Sequence, residues 1–469
     1  MSWKKCMPML LISLVTVLSL GLAACGAPSP EPTQAPATEE PPVEEEIEEP
    51  AEPTEEAEPP AEEDEEPAAD EVVELTVWDI PESETYVEWW QDYVADFNEA
   101  HPNIHVTWES FESEPYKQKI QSALVAGTAP DIFYTIPGQI TDEHYRQGRM
   151  LAVEDLFDVS SFTEAGRSAC SVDGEMVCLP LYFSVSSMYY NKQQFADAGV
   201  DVQDWADPLQ PTWDEFIAAC EALKAAGYVP IAMGNEPSWP LMTWLWGSQN
   251  RYGGTEEFFD AVNGDGSYAA PGFLKGAQRV QDLASRGYFP EGYNGIGGSD
   301  KYTMFPLGTG AIMYYGPWVI GIIDENAPEG FEYGMFKFPS FPDGNPDSQD
   351  DIEAGIDAYF VSGTTEHPEA VAEFLAPLAT IDVAVSFMKA TNFSPAVEGL
   401  LEAAENADIH PAVLQLAEYV AQAEHQYPWW DWALSAEVAE EMLNMSQPLA
   451  LGEITPEEFV ERLEAKAGR

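Results

Sequence analysis

Apolar and polar residues alternate after position 72 in a way that predicts an ordered succession of strands and helices. Val73 to Asp79 (VELTVWD) is rich in β-branched and aromatic residues, a composition typical of a strand. From Glu82 to Ala100 apolar side chains recur every three or four positions, which predicts a helix with one buried face. The recurring residues are Val87, Trp90, Val94 and Phe97.

The following segments repeat this succession. Pro102 ends the helix, and NIHVTWESF, from Asn103, alternates as a second strand. Tyr116 to Ala126 predicts a second helix that stops at Gly127, and Asp131 to Thr135 (DIFYT) predicts a third strand. A β-α-β-α-β order predicts an α/β fold built on a parallel, doubly wound sheet.

The predicted topology also indicates where a ligand would bind. Ligands of doubly wound sheets lie at the carboxyl ends of the strands. This places Asp79, Tyr134 and Gln139 near a cleft. For Asp79 the alternative is a purely structural role at the end of its strand.

The N-terminal residues have the pattern of an export signal. Lys4 and Lys5 precede an uncharged stretch, Met7 to Ala24, that is short for a membrane span and ends in small residues. Leu22-Ala23-Ala24-Cys25 resembles a bacterial lipobox, and the resemblance implies lipidation of Cys25 and cleavage just before it. An ordinary signal with an incidental cysteine is the alternative. Lipidation predicts a protein anchored at the extracellular face of the cell membrane.

A tether is expected to follow the signal. Residues 1–24 would leave as the signal peptide, and residues 25–71 would form a lipidated cysteine and a disordered acidic spacer. Between positions 26 and 71 there are nineteen Asp or Glu and eleven Pro, with no aromatic residue and no Lys or Arg. Such a segment cannot bury enough apolar surface to offset its ordering entropy. Cation binding is an alternative use of its charge.

The charge of the remaining chain excludes some partners. The residues after Glu71 include 64 acidic and 17 basic side chains, a formal charge of about −47. Nucleic acid binding needs Lys and Arg to displace counterions, so no nucleic acid partner is expected. The same argument disfavours direct binding to anionic lipid headgroups.

Two cysteines flank a predicted hairpin. Cys170 and Cys178 lie on either side of Asp173-Gly174, which is a hairpin turn signal. A disulfide between them is plausible outside the cell, and two reduced thiols are the alternative. The cysteine spacings match no zinc pattern, and no metal or cofactor is expected.

Six motifs follow one another along the chain: FNEAHPNIHV, AGTAPDIFY, DGEMVCLPLYFSVSSMYYNKQQF, PTWDEFIAACEALKAAGYVPI, AIMYYGPW and GEITPEEFVERLE. Taken in this order, they resemble extracellular solute-binding proteins family 1, the receptors of carbohydrate ABC importers, and among them the maltodextrin-binding type. The resemblance extends from about Val72 to the C-terminus.

The resemblance implies a two-lobed periplasmic-binding-protein fold with the ligand between the lobes. Each lobe is expected to be a doubly wound sheet flanked by helices, and crossing hinge strands join the two. The first lobe would contain 72–183 and 311–355, and the second 184–310 and 356–469. The crossings would lie near Leu179 to Tyr190 and Gly355 to Val361, and the lobes would close on the ligand like a hinge.

Aromatic clusters supply the candidate sugar-binding residues. A sugar presents apolar C–H faces and hydroxyl groups, so a binding cleft needs flat aromatic surfaces and polar acceptors. The family resemblance implies sugar-stacking roles for Trp239, Trp318 and Trp430, with Tyr315 as a further candidate. For each of them the alternative is a place in the hydrophobic core.

Two polar positions complete the expected site. The resemblance implies a ligand-binding acid at Glu236, whereas Ser184 stands where the maltodextrin type has an acidic residue in the first crossing. The first loop, WDIPESETY, also lacks the lysine seen in that type. These departures make maltose itself a poor candidate. Few Lys or Arg lie near the candidate positions, which favours a neutral sugar over a phosphorylated or strongly anionic ligand.

The expected function is therefore a non-enzymatic receptor that delivers a carbohydrate to the membrane subunits of an ABC permease, acting as a monomer. An exported glycoside hydrolase is one alternative, because such enzymes also pair carboxylates beside aromatic residues. A binding protein for a non-sugar solute, or one that serves a sensor, is another. The stretch Asp343 to Glu353 resembles a calcium loop in part, and a plain surface loop is the simpler interpretation.

The anchor hypothesis predicts the fate of a Cys25→Ser variant. Without the thiol no thioether can form, so the protein should be released to the medium or remain unprocessed. Membrane fractionation with an antibody to the mature chain measures this. A mature Cys25→Ser protein that stays with the membranes as the wild type does would show that the anchor hypothesis is wrong.

Overall fold

The computed structural model describes residues 72–405, 407–423 and 425–468. The predicted signal peptide, the lipidated Cys25 and the tether up to residue 71 lie outside the described residues.

Thirteen strands are present in the described ranges. They are β1 Val73–Asp79, β2 Ile104–Ser110, β3 Ile132–Thr135, β4 Met150–Leu151, β5 Ser171–Val172, β6 Glu175–Met176, β7 Cys178–Val185, β8 Ser187–Asn191, β9 Ile312–Tyr315, β10 Tyr333–Phe336, β11 Ile352–Ser362, β12 Ser394–Pro395 and β13 Gln426–Tyr427.

Seventeen α-helices accompany these strands in the same ranges, and the longest, α7, is interrupted at Gly254. They are α1 Glu84–Ala100, α2 Ser113–Ala126, α3 Gln139–Arg146, α4 Glu164–Ala169, α5 Lys192–Asp197, α6 Trp213–Ala225, α7 Trp239–Asn263, α8 Pro271–Ser285, α9 Asp300–Thr303, α10 Trp318–Asn326, α11 Pro368–Leu375, α12 Ile381–Thr391, α13 Leu400–Ala404, α14 Pro411–Gln422, α15 Trp430–Ala433, α16 Ala436–Leu451 and α17 Pro456–Lys466.

The first five predicted elements are present in the predicted order. α1 begins at Glu84 rather than Glu82, because the Ser83 hydroxyl accepts a hydrogen bond from the backbone N–H of Tyr86 and caps the helix there. α2 begins at Ser113, three residues before the predicted start, since Pro115 is tolerated in the first turn of a helix. It ends at Gly127, whose φ of 70° is the left-handed conformation that favours glycine.

The larger sheet combines parallel and antiparallel pairing. β1 pairs in parallel with β2 on one side and with β3 on the other, as the β-α-β-α-β order predicts. β11 then runs antiparallel between β3 and β7. The α/β class expected from the sequence is confirmed.

A second sheet has three strands. A single residue separates its first strand, β8, from β7 of the larger sheet. β7 belongs to the larger sheet and β8 to the smaller, so the chain passes between them at Ser186, within the predicted first crossing. In the smaller sheet β8 lies between β9 and β10 and is antiparallel to both. β11 contains the predicted second crossing, Gly355 to Val361.

Two hydrophobic cores accompany the two sheets. The first packs against β1, β2, β3, β7 and β11. The second surrounds the helices α6, α7, α8, α16 and α17. The predicted lobe boundaries stay a prediction, but the buried residues favour one change: Val371, Phe387 and Leu416, in the predicted second lobe, pack in the first core.

The predicted hairpin carries a bonded cysteine pair in the structure. β5 and β6 are antiparallel and are joined by Asp173 and Gly174, which both have positive φ. The sulfurs of Cys170 and Cys178 are 2.08 Å apart. Cys220 is a free thiol on the buried face of α6, and burial raises its pKa well above its ordinary value.

No single helix among the described residues has the length and apolar composition needed to cross a membrane. The segments Pro368–Ala379 and Ile381–Thr391 meet those limits only as a pair, bent by 72°. Their side chains include Phe374 and Phe387, which are buried in the first core.

Candidate functional site

A cavity of about 660 Å³ lies where the two hydrophobic cores meet. Ile80 and Tyr134 line it from the first core, whereas Ile136 and Trp429 line it from the second. Trp239 and Trp318 pack against both cores. The volume is that of a site for a small organic ligand.

Aromatic rings form one wall of this cavity. Trp239, at the start of α7, and Trp318, at the start of α10, meet edge to face with ring centroids 6.2 Å apart. Trp318 meets Trp429 in the same way at 5.9 Å, and the indole N–H of Trp318 is buried beside the Tyr302 hydroxyl. Trp429 lies against Gly355 of β11, where a Cβ would come within 3.1 Å of the ring. Of the three tryptophans predicted from their motifs, Trp239 and Trp318 line the cavity.

Two carboxyl groups also line the cavity. Asp357 of β11 and Glu82, in the loop after β1, both line the cavity. Asp357 is 3% exposed and accepts a short hydrogen bond from the Tyr134 hydroxyl. Burial raises the pKa of Asp357 to about 6, and the nearby charge of Asp79 adds to the effect. Burial also raises the pKa of Glu82, with further increases from the charges of Asp357 and Asp79.

Asp79 lies behind this group and is not part of the cavity lining. Its Oδ2 accepts hydrogen bonds from the hydroxyls of Tyr359 (2.6 Å) and Tyr86 (3.0 Å) and from the indole N–H of Trp108 (3.1 Å), while Oδ1 accepts from the backbone of Ile80. Burial raises the pKa of Asp79 to about 6, although these hydrogen bonds act to lower it. The arrangement matches the structural alternative for Asp79.

Two lysines line the cavity away from these acids. Lys117 of α2 forms ion pairs with Glu114 (3.2 Å) and Asp431 (3.1 Å). Lys301 of α9 is 6% exposed, and its ammonium group lies 4.8 Å from the ring centroid of Tyr302 and 5.4 Å from that of Trp239. Burial lowers the pKa of Lys301 to about 8.

The structure places other predicted site residues outside the lining. Trp430 is 1% exposed and packs in the second core against Trp246, Phe258 and Phe273. Its neighbours Trp429 and Trp432 line the cavity instead.

Four more predicted residues lie near the cavity without lining it. Tyr315 is buried behind the aromatic wall, with its ring 5.6 Å from that of Trp239. Ser184 is buried on β7 opposite Gly355. Glu236 is exposed beside the lining residue Pro237, and Gln139 is exposed at the N-terminus of α3.

Several lining residues were not anticipated from the sequence, among them Glu82, Asp357, Lys301 and Tyr302. Glu82 lies in the loop WDIPESETY, whose position after the first strand was the one available signal. Asp357 and Lys301 have no local pattern that distinguishes them from the other charged residues.

The calcium-like stretch begins as a surface turn and ends in the buried start of β11, at Ile352 and Glu353. Asn345 caps the short helix Pro346–Ser348 by accepting from the backbone N–H of Asp347, and the Tyr252 hydroxyl lies 3.4 Å from Asp343. Among the described residues no group of three or more His, Cys, Asp or Glu is arranged to hold a metal ion.

A family model described as bacterial extracellular solute-binding protein matches residues 82–384 of this chain. The match covers more than half of the sequence and includes most of the cavity lining.

Individual proteins with related sequences or folds agree with this match. The multiple sugar-binding protein of Streptococcus mutans is 23% identical over 327 residues, which are 68% of this chain and 74% of that protein. The sn-glycerol-3-phosphate-binding periplasmic protein UgpB of Rhizobium meliloti is 27% identical over 231 residues, 48% of this chain and 50% of that protein. A solved structure titled as a chitin oligosaccharide binding protein superposes with a TM-score of 0.76 at 25% identity, covering 85% of this chain and 98% of the other.

The buried Asp357 predicts a specific pH dependence of stability. Its pKa is raised from 3.8 to about 6, so between these values the folded protein keeps a proton that the unfolded chain loses. The stability from the neutral carboxyl is complete at low pH and is lost as the pH rises through about 4 to 6. Relative to Asp357→Asn, the wild type should lose roughly 3 kcal/mol more unfolding free energy over this interval.

Urea unfolding at a series of pH values measures this difference. Asp350→Asn changes an exposed carboxyl in the same way and should keep the wild-type pH profile. If the unfolding free energies of the wild type and Asp357→Asn change with pH in parallel, the raised pKa of Asp357 is contradicted.

Proposed function

Because the chain belongs to the bacterial extracellular solute-binding protein family, we propose that its cavity captures a sugar or oligosaccharide and delivers it to the membrane permease of an ABC importer. The observation that carries this proposal is the pairing of an aromatic wall, Trp239, Trp318 and Trp429, with the carboxyls of Glu82 and Asp357. A saccharide has the matching chemistry, because its ring faces are apolar and its edges carry hydroxyls.

Each side of the cavity has a defined role in this proposal. The indoles cover the C–H faces of a sugar ring, and the carboxyls accept hydrogen bonds from its hydroxyls. Since buried polar groups without partners are costly, a ligand that satisfies all of them is favoured over one that does not.

Closure of the two lobes would exclude water from the bound sugar and strengthen each hydrogen bond. The chain links the two sheets at Ser186, between β7 and β8, which makes this a candidate hinge. The proposed lobes follow the two hydrophobic cores, with 368–422 assigned to the first.

The proposed location is the extracellular face of the membrane, through lipid on Cys25, with a single copy of the chain docking on permease subunits. Support for the location comes from the lipobox-like sequence and from the family match. The related proteins are named as binding proteins, which supports a receptor over the hydrolase alternative.

A thermal-shift panel of mono- and oligosaccharides tests the ligand class. The bound sugar should stabilise the protein by about 2.7 kcal/mol at a hundredfold excess over its Kd. Peptides, amino acids and polyamines serve as the comparison set. A shift with members of that set and with no sugar would contradict the proposal, and turnover of an oligosaccharide would favour the hydrolase.

Two tryptophan variants separate the site from the core. Trp318→Ala should weaken sugar binding by roughly 2 kcal/mol, the scale of an aromatic anchor, with a smaller loss of stability because the residue is only half-buried. Trp430→Ala should show the reverse, a loss of about 3–5 kcal/mol in unfolding free energy with unchanged affinity in the folded fraction. Titration by tryptophan fluorescence and urea unfolding provide both numbers.

Intact sugar affinity in Trp318→Ala would show that Trp318 is not part of the site. Lost affinity with normal stability in Trp430→Ala would show that Trp430 belongs to it.

A further inference from the structure

Charged side chains are unevenly distributed along the cavity. Lys117 is already neutralised, because its ammonium group pairs with both Glu114 and Asp431. Burial has the largest effect on the pKa of Lys301, and the charges of Glu114, Lys117, Glu112 and Glu236 also act on it. These groups together form one charged region, which contains both lysines of the lining.

The acidic region, Glu82 and Asp357 with Asp79 behind them, has no such compensation. Across the ranges that the structure describes, no Lys, Arg or His lies within 4 Å of any of the three carboxyls. The three are close enough for their charges to act on one another. Grouping like charges in a site of low dielectric is costly unless the groups take up protons or an opposite charge joins them.

The carboxylate of Asp357 is the part of the acidic region whose hydrogen bonding is incomplete. The residue is 97% buried and lines the cavity, and the Tyr134 hydroxyl donates to its Oδ1. Its Oδ2 makes no hydrogen bond of good geometry, and the Ser184 hydroxyl lies beside the carboxyl and acts to lower its pKa. Asp79, by contrast, already receives four hydrogen bonds. A ligand that enters the cavity can add a donor to the hydrogen bonding that Tyr134 and Ser184 leave incomplete.

We propose that the acidic region formed by Glu82 and Asp357 binds the protonated amine of an amino sugar. This inference rests on the proposed function and specifies its ligand class. The ammonium group supplies the missing positive charge and several N–H donors, and it can donate to Glu82 and to the unpaired oxygen of Asp357 together. The faces of nearby aromatic rings in the lining favour a cation over a neutral hydroxyl.

Other cations fit the region less well. The described residues hold no arrangement of three or more ligands suited to a metal ion. A free polyamine would leave the indole wall of Trp239 and Trp318 without a flat surface to cover, whereas a sugar ring carries one. The strongly negative charge of the chain also attracts a cationic ligand and repels an anionic one. The proposed ligand is therefore a positively charged sugar, whereas the sequence alone favours a neutral one.

Matched sugars that differ only at one substituent test the inference. For each scaffold, the amine is compared with its hydroxyl counterpart and its N-acetyl counterpart: glucosamine with glucose and N-acetylglucosamine, galactosamine with its equivalents, and the β-1,4-linked trimers of the glucose series. Calorimetric titration at neutral pH measures each affinity. The expected result is that the amine binds at least roughly tenfold tighter than both counterparts of the preferred scaffold.

Substitutions then locate the preference. Asp357→Asn and Glu82→Gln keep the shape of each side chain and should each reduce the tenfold preference towards parity. Glu84→Gln removes the same charge two residues away, from an exposed position outside the cavity, and should keep the preference. Far-UV circular dichroism confirms that each variant is folded.

The outcomes separate this inference from the function on which it rests. Neutral or N-acetylated sugars that bind as tightly as the amines would overturn the inference and leave the sugar receptor intact. If the preference for amines survives both Asp357→Asn and Glu82→Gln, the ammonium group does not bind at these two carboxyls. If no sugar of any charge binds, both the inference and the proposed function fail.

Discussion

The antiparallel pairing of β11 with β3 and β7 is the contact on which the rest of the structure depends. β11 is eleven residues long and joins the parallel strands β1, β2 and β3 to β7, which leads directly into the second sheet. The pairing shifts register between Asp357 and Ala358, opposite Pro180. Pro180 cannot donate a hydrogen bond, so an irregularity at this point removes little from the ladder. Bulges re-aim side chains, and this one lies at the residue that the cavity needs.

Two buried acids of the larger sheet, on strands separated by β3, show how similar groups acquire different roles. Asp79 and Asp357 have the same side chain, are almost fully buried, and have pKa values raised to about 6 by burial. Every oxygen of Asp79 meets donors from the protein itself, which makes it part of the framework that fixes Tyr86, Trp108 and Tyr359. Asp357 keeps one oxygen unsatisfied. The structural role of Asp79 and the proposed ligand-binding role of Asp357 therefore differ because the fold supplies more hydrogen-bond donors to Asp79.

The order of elements could be predicted from the sequence because the forces that define it are local. Two of the motifs behind the family resemblance are helix starts: in PTWDEF the Thr212 hydroxyl and the Glu215 carboxylate cap each other's backbone, and in ITPEEF Thr455 and Glu458 do the same. In AGTAPD, Asp131 accepts hydrogen bonds from Thr76 and Thr365 and fastens β1 to the loop after β11. These motifs report a fold and carry no information on the ligand.

The site could be predicted only in part, because exposure is decided by distant segments. The sequence PWWDW offers three tryptophans, and the one buried by α7 and α8 is Trp430, whereas its neighbours face the cavity. Trp239 and Trp318 were identified because their motifs match in place. Asp357 and Lys301 are single charged residues in a chain with 83 acids and 19 bases, so nothing local distinguishes them.

Lys301 has a practical consequence for labelling chemistry. Burial lowers its pKa to about 8, so in mildly alkaline buffer much of its amine is unprotonated and nucleophilic, unlike that of an ordinary surface lysine. Mild acylating reagents that are small enough to enter the cavity would react there preferentially. A fluorophore attached in this way would lie beside Trp239 and Tyr302. The chain thus contains its own attachment point for an optical sensor of ligand capture, without the need to add a cysteine to a protein that already has a paired Cys170 and Cys178.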